Sequence, residues 1–290
     1  MKLLWILSLA FLVLPMSCKT QDNGTFTQPR AYDIFYLEET GKKLDTSNET
    51  KNARTINLVG ADQLLFVHSR ETATVITYTL MEAGDVSSAV LSGVFNTSDY
   101  LGSKEEESKG HGIYLRRDAL DRVWLYNRTE IWQFDLPIAG DMQSAVCSGY
   151  RDLSDRVKRG HDIDFNLEGN RFYVDDRNSE SVFQYTVKEP WNINTIEFDY
   201  ELDISETHSA VRGIEFRPDG KLMYLLDTSQ KEIQQFALSE AWELRTAVFE
   251  KKYPLRTNNP RGFTWNEDGS RAYVMDATSG IIYQFHIRGN

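Results

Sequence analysis

The sequence predicts an all-β protein that folds as a single β-propeller. Three observations lead to this prediction: a string of residues recurs five times, each copy alternates apolar and polar residues around a tight turn, and a further alternating stretch follows most copies. The two most similar copies, RGIEFRPDGKLMYLLDTSQKEIQQFAL and RGFTWNEDGSRAYVMDATSGIIYQFHI, begin at Arg212 and Arg261. The five copies begin at residues 54, 111, 161, 212 and 261, which are 57, 50, 51 and 49 residues apart. Four antiparallel strands in every 50 residues or so are typical of a propeller blade.

Each copy is interpreted as three strands, and the stretch after it as a fourth. In the copy that begins at Arg212, the first strand alternates through Ile214 and Phe216 and ends at the turn of residues 218–220, Pro-Asp-Gly. The third strand is IQQFAL, and the fourth follows the polar turn in EAWELRTAVF. The second strand is short and aromatic in every copy: Phe66-Val67, Trp124-Leu125, Tyr173-Val174, Tyr224-Leu225 and Tyr273-Val274.

Closure of the ring is predicted from the two ends of the repeat region. The last copy stops after its third strand at Ile287, and an unclosed propeller would leave two exposed sheet edges. Residues 31–41, AYDIFYLEETG, alternate like a strand and precede the first copy. We therefore expect residues 31–53 to supply a closing strand and a linker, so that residues 31–290 form five four-stranded blades. Six blades remain the alternative.

The N-terminus predicts export. Residues 1–17 contain a short apolar run after Lys2 and are interpreted as a signal peptide. Because Cys18 directly follows this run, as in bacterial lipoproteins, we expect it to be lipidated and residues 18–30 to tether the protein to the cell envelope. The alternative is a secreted glycoprotein, since four N-x-S/T sequons are present: Asn23, Asn48, Asn96 and Asn127.

Composition narrows the class of protein. The net charge of −11 argues against nucleic-acid binding, which usually needs a basic face. Membrane contact is expected through the lipid anchor only, and the protein is expected to be a monomer.

The second cysteine, Cys147, falls in a fourth-strand column with Leu91, Phe198 and Phe249, so we expect a small hydrophobic core residue rather than a disulfide partner. The recurring tryptophans are likewise expected to pack between blades.

The motifs FxPDGxxMYxxD, IxQFxL and WxLxTAxF resemble a repeat of secreted and surface β-propeller proteins of bacteria and phages. The resemblance covers roughly residues 31–290 and is strongest in the last three copies. In the first two copies, Gly84 and Gly140 replace the tryptophan found at Trp191 and Trp242. The resemblance implies an extracytoplasmic propeller, and it brings no catalytic motif to transfer.

One column of the aligned repeats is a candidate ligand site. The residue that opens each first strand is basic or an imidazole: Arg54, His111, His161, Arg212 and Arg261. Because the first strand of a blade is the innermost, this column should form a ring around one channel mouth. Such a ring suits an anionic or polyhydroxylated ligand, since arginine binds carboxylates through a two-pronged hydrogen bond.

A structural interpretation of the same column is also open. The second strands end near the ring, at Asp176, Asp227 and Asp276 in the last three copies. Each of these aspartates lies 15 residues after a ring residue, so pairs within a blade would neutralise the ring and stabilise its hairpin. Repetition itself favours a structural role, because active sites usually interrupt a repeat.

Carboxylates on the inner strands are the candidates for catalysis. Asp162 replaces a glycine of three other copies, and Asp164 aligns with Glu215 in the next copy. Carboxylates on neighbouring strands suit the acid and base of a glycosidase, and their oxygens also suit calcium. No zinc-ligand cluster, phosphate-binding loop or nucleophile elbow accompanies them, so no other cofactor is expected.

The sequence favours a binding protein over an enzyme. The preferred hypothesis is a membrane-anchored extracytoplasmic propeller that binds a glycan, an acidic small ligand or a protein partner at one channel mouth. The alternatives are a glycosidase or lactonase that uses the inner carboxylates, and a scaffold without a small-molecule site. The identity of the ligand does not follow from the sequence.

Overall fold

A computed structural model describes residues 31–50, 52–101 and 110–288. The chain forms twenty strands in five four-stranded antiparallel sheets, as the sequence predicts. The first strand, β1, is Leu37–Asp45, and blade one follows it with β2 Ala53–Val59, β3 Leu64–Ser69, β4 Thr74–Leu80 and β5 Ala89–Asn96. Blade two has β6 Ile113–Leu115, β7 Arg122–Tyr126, β8 Glu130–Asp135 and β9 Val146–Asp152.

The remaining blades repeat this order. Blade three has β10 Gly160–Phe165, β11 Arg171–Asp176, β12 Ser181–Val187 and β13 Ile196–Asp203. Blade four has β14 Val211–Phe216, β15 Leu222–Asp227, β16 Glu232–Leu238 and β17 Ala247–Pro254, and blade five has β18 Pro260–Trp265, β19 Arg271–Asp276 and β20 Ile281–Ile287. A short 3-10 turn precedes each fourth strand: Ile34–Tyr36, Val86–Ser88, Met142–Ser144, Ile193–Thr195 and Leu244–Thr246.

The five innermost strands close a ring, because β2 contacts β6 and β18, β10 contacts β6 and β14, and β14 contacts β18. Blade five is completed by β1, which pairs antiparallel with β20 from Leu37 opposite Ile287 to Asp45 opposite Ile281. The predicted closing strand is confirmed. The hydrophobic core lies between neighbouring blades, as where Tyr114 and Trp124 of blade two pack on Phe165 of blade three.

Neighbouring blades are joined by a third-strand glutamine that recurs in four of the copies. Its side-chain oxygen accepts the backbone N–H that opens the 3-10 turn of the next blade. Gln133 accepts from Ile193 at 3.0 Å and Gln184 accepts from Leu244 at 2.9 Å. The glutamine of the IxQFxL motif therefore satisfies a buried donor that the neighbouring blade cannot satisfy itself.

The five tryptophans of the described residues are buried, as expected, but Cys147 is not. The Cys147 side chain is exposed, and Leu91, Phe198 and Phe249 of the same column are 45%, 36% and 40% exposed. These residues lie on fourth strands, which form the rim of the disc and have no further strand outside them. The expectation that Cys147 is a core residue is wrong because the column, although aligned correctly, faces solvent.

The signal peptide, Cys18 and the tether lie outside the described residues. Within residues 31–50, 52–101 and 110–288, no helix has the length and apolar character needed to cross a membrane.

Candidate functional site

The ring predicted from the aligned repeats lies at one mouth of the central channel. Four of the five ring residues are the second residue of an innermost strand, and the fifth, His111, lies two residues before β6. The four are Arg54, His161, Arg212 and Arg261. The two histidines and Arg54 are buried, while Arg212 and Arg261 are half-buried. The five residues thus hold nearly equivalent positions in the five blades, and their role as ligand-binding residues stays a prediction.

Further arginines surround this ring. Arg70 and Arg177 directly follow the last residues of their second strands, and Arg128 follows two residues after the end of β7. The backbone N–H of Arg177 donates to the carbonyl of Arg159 at 3.2 Å. All four side chains are half-buried. Together with the ring they form what we call the arginine mouth, defined by Arg54, Arg70, Arg128, Arg159, Arg177, Arg212, Arg261, His111 and His161.

Positive charges lie close together in the arginine mouth. Burial, and then the charges of Arg261, Arg70 and Arg128, lower the pKa of Arg54 to about 9. Burial, and then Arg177, Arg70 and Arg159, lower the pKa of Arg261 to about 10. Both guanidinium groups stay protonated at neutral pH. The mouth is therefore a concentration of positive charge in a chain whose net charge is −11.

Carboxylates do not neutralise this charge in the way that the pairing interpretation expects. In the described part of the chain, no carboxylate lies within 4.0 Å of the guanidinium nitrogens of Arg54, Arg159, Arg177, Arg212 or Arg261. Four of these side chains also have a buried nitrogen with no hydrogen-bond partner among the described residues: Nε of Arg54, Arg159 and Arg212, and Nη1 of Arg261. Buried guanidinium donors of this kind are uncommon and suit an external acceptor.

The expected aspartate partners bind backbone instead. Asp227 accepts the N–H groups of Ser209 at 2.8 Å and Gln230 at 2.8 Å. Asp176 and Asp276 accept equivalent backbone donors in the loops beside their own strands. The predicted pairing of Asp176, Asp227 and Asp276 with the ring is wrong, because the loop N–H groups that face these carboxylates are closer and otherwise unsatisfied.

The three candidate catalytic carboxylates, Asp162, Asp164 and Glu215, lie inside the channel and are buried. Asp164 accepts the Phe216 N–H at 2.8 Å, and Glu215 accepts the Trp265 N–H at 3.2 Å. Each acceptor thus reaches across to the innermost strand of the next blade. This contact joins the inner strands of blades three, four and five.

Asp162 fills the channel where other blades have glycine. One carboxylate oxygen lies 3.4 Å from Thr55 Oγ1 of blade one, across the channel, and the other lies 3.4 Å from the Ile214 nitrogen of the neighbouring blade four. Burial, and then the charge of Asp175, raise the pKa of Asp162 well above its usual value. The protonated form of Asp162 is therefore favoured in the folded protein.

The channel leaves no room for a substrate beside these carboxylates. Arg117 Nη2 donates to Glu215 Oε1 at 2.7 Å from the opposite side of the channel. The cavity that Asp162, Asp164, Glu215 and Arg117 line has a volume of about 10 Å³, which is about the space that one water molecule needs. Burial raises the pKa of Asp164 to about 8, so that this carboxyl is mostly protonated at neutral pH and cannot act as a base there. The absence of space for a substrate favours a structural role for the three carboxylates.

A metal site is not found at these carboxylates either. No group of three or more histidine, cysteine, aspartate or glutamate side chains that could hold a metal ion occurs among the described residues.

We expect the substitution Asp162→Asn to reduce the loss of stability at alkaline pH. The unfolded chain releases the Asp162 proton near pH 3.9, whereas the folded protein holds it to a higher pH. The stabilisation from the protonated carboxyl is therefore complete below about pH 3.9 and is lost as the pH rises through the folded-state pKa. Each unit of difference in pKa corresponds to about 1.4 kcal/mol.

The measurement is the melting temperature from pH 5 to pH 9. Asparagine can still accept from the Ile214 N–H and donate to Thr55, so the fold should be retained. The exposed substitution Asp155→Asn serves as the matched control. An Asp162→Asn profile that is parallel to those of the wild type and the control would contradict the prediction.

The five four-stranded sheets and the closed ring of inner strands define the chain as a five-bladed β-propeller. Among solved structures, it is similar to a protein from Lactobacillus plantarum, at a TM-score of 0.51 and 12% identity over 77% of this chain and 64% of the other. It is also similar to a putative 6-phosphogluconolactonase from Bacteroides uniformis, at a TM-score of 0.50 and 14% identity over 80% of this chain and 65% of the other. The chain thus spans slightly less than two thirds of either structure. At these identities the likeness establishes the propeller fold alone.

No protein-family model matches the sequence, and no curated protein is detectably similar to it.

Proposed function

We propose that this protein is a β-propeller that binds a multiply charged anion at the arginine mouth. The observation that carries the proposal is a group of five arginines without a carboxylate partner among the described residues: Arg54, Arg159, Arg177, Arg212 and Arg261. Arg54 of blade one and Arg261 of blade five are close enough for the charge of Arg261 to lower the pKa of Arg54, and Arg70 lowers the pKa of both. Their mutual repulsion is relieved by an anion that accepts hydrogen bonds from several of them at once.

The buried carboxylates support binding rather than hydrolysis. A propeller hydrolase that used Asp162, Asp164 and Glu215 would need space for a substrate, and their cavity is about 10 Å³. Their hydrogen bonds to the inner strands also occupy the oxygens that such a mechanism would use. We therefore place ligand binding at the mouth and assign the inner carboxylates to the scaffold.

The proposal includes a location outside the cytoplasm, with Cys18 carrying the lipid. Its support is the apolar run that ends directly before Cys18. Mass spectrometry of the N-terminal peptide from the membrane fraction tests this part, and an unmodified peptide that retains residues 1–17 would contradict it.

We expect the double substitution Arg54→Gln, Arg261→Gln to weaken anion binding by about 100-fold or more. Each charge-assisted hydrogen bond contributes about 1.5–3 kcal/mol, and the variant loses at least two of them. Isothermal titration calorimetry with citrate, inorganic phosphate and pyrophosphate measures the change. Affinity for the wild type should also fall as the salt concentration rises, because the mouth is partly open to solvent.

A second double variant controls for net charge. Arg217 and Arg245 lie away from the mouth and pair with Asp219 and Asp199, so Arg217→Gln, Arg245→Gln removes the same charge elsewhere. This control should bind like the wild type. Without ligand, the mouth variant should melt no lower than the wild type, because its like-charge repulsion is reduced. Binding that is unaffected by the mouth variant, or a lower melting temperature together with no binding by the wild type, would contradict the proposal.

A further inference from the structure

The inner wall of the arginine mouth contains two stacked histidines. The rings of His111 and His161 lie 4.8 Å apart between centroids, at an angle of 20°. Their side chains are almost completely buried, with 1% and 5% of their surface exposed. Both Nε2 atoms are buried without a hydrogen-bond partner among the described residues. Unsatisfied ring nitrogens at this depth require an explanation.

The protonation of His111 follows from its neighbours. Burial, and then the charges of Arg54 and Arg70, hold its pKa well below the usual value, so that the ring is neutral. Its Nδ1 lies 3.2 Å from the carbonyl oxygen of Gly110, and a carbonyl can only accept a hydrogen bond. The single ring proton is therefore on Nδ1. Nε2 is left with a lone pair and can only accept.

The two kinds of group in the mouth thus need complementary partners. Arg54, Arg212 and Arg261 have unsatisfied donors and need an acceptor with negative charge. His111 Nε2 is an acceptor and needs a donor. A fully ionised anion without hydroxyl groups satisfies the first requirement and not the second. A hydroxyl group on the same ligand satisfies the second.

We propose that the arginine mouth selects anions that also carry hydroxyl groups, such as hydroxy acids, sugar acids or sugar phosphates, and that His111 recognises the hydroxyl. This inference rests on the proposed function, because it concerns the ligand of the same site. The anionic group, carboxylate or phosphate, is bound by the arginines. The hydroxyl donates to His111 Nε2 and supplies the hydrogen bond that this atom lacks among the described residues.

Pairs of anions that differ in hydroxyl groups test the selection. Citrate and tricarballylate have the same three carboxylates and differ by one hydroxyl. Glycerol 3-phosphate and propyl phosphate form the corresponding phosphate pair. In isothermal titration calorimetry with the full chain, we expect the hydroxylated member of at least one pair to bind about 2- to 10-fold more tightly, as one hydrogen bond provides. The pair with the larger difference identifies the anionic group.

The variant His111→Phe keeps an aromatic ring to stack on His161 and removes the acceptor. It should bind both members of each pair equally, with an affinity close to that of the weaker member for the wild type. Equal binding of both members by the wild type overturns this inference and leaves anion binding intact. If none of the four compounds binds, the proposed function fails as well. Because the comparison within each pair uses the wild type, the test does not depend on the stability of the variant.

Discussion

We expect a chain that lacks residues 31–45 to lose the folded propeller at room temperature. These residues contain β1, which covers β20 along its whole length, and three core side chains: Tyr32, Ile34 and Leu37, at 8%, 0% and 3% exposure. Burying each such side chain contributes about 1.5–3 kcal/mol, so their loss approaches the whole stability of a typical domain, about 5–15 kcal/mol. The free edge of β20 would in addition promote aggregation. Circular dichroism melts and size-exclusion chromatography measure the effect.

A circular permutant provides the matched control, because it keeps every residue of the domain. It begins at residue 52, joins Asn290 directly to Ala31, and ends at residue 51. The new junction has nearly the same length as a natural turn between a third strand and the 3-10 turn before a fourth. In blade four, three residues lie between Leu238 and Trp242, and in the permutant four residues lie between Ile287 and Tyr32, which is equivalent to Trp242. We expect the permutant to melt within about 5 °C of the unpermuted domain, which corresponds to about 1–2 kcal/mol. A permutant that fails to fold, or a truncated chain that melts normally, would contradict the role of β1 in closure.

The sequence predicted the fold well because a propeller blade is local in sequence. Four consecutive strands pair with one another, so the alternation and the turn at residues 218–220 are repeated with little change from blade to blade. The closing strand was also predictable, since only residues 31–41 supply the alternation that blade five lacks. The aromatic residue two positions before the 3-10 turn is Tyr32, Trp191 or Trp242 in blades five, three and four. The repeated turns predict the two tryptophans, and Tyr32 was not recognised as their equivalent.

The site was predicted only in part, because alignment gives the position of a residue and not its surroundings. Cys147 was placed in the right column, but its exposure depends on the fourth strand being at the rim of the disc. Asp227 was predicted to pair with Arg212, but its carboxylate accepts hydrogen bonds from backbone N–H groups of the neighbouring loops. Arg70, Arg128 and Arg177 were missed, although each directly follows an aligned residue in the strings HSRE, YNRT and DDRN. That signal could have been found by examining the next column.

We expect Gly220→Ala to destabilise the protein by about 2–5 kcal/mol, the largest effect of any single substitution proposed. Gly220 has φ +69°, and an alanine Cβ there would lie 2.3 Å from Trp242 Cδ1 and 2.4 Å from Trp242 Nε1. The indole cannot withdraw easily, because the backbone N–H of Trp242 donates to the Gly220 carbonyl at 2.9 Å, which fixes the main chain beside the glycine, and the side chain is 9% exposed. The left-handed conformation costs a non-glycine residue about 1–2 kcal/mol, and forced overpacking adds about 1–3 kcal/mol.

Gly41→Ala separates these two contributions. Gly41 also has a positive φ, +78°, but no atom lies within 4 Å of the position of its Cβ, so only the conformational cost of about 1–2 kcal/mol applies. The difference between the two variants in urea denaturation therefore measures the contact between the turn glycine and the aromatic ring. The same contact recurs where Gly169 meets Trp191 and where Gly269 meets Tyr32. Equal destabilisation by both variants would mean that the positive φ alone causes the loss of stability at Gly220. The Trp242 ring would then move aside for the methyl group at little cost.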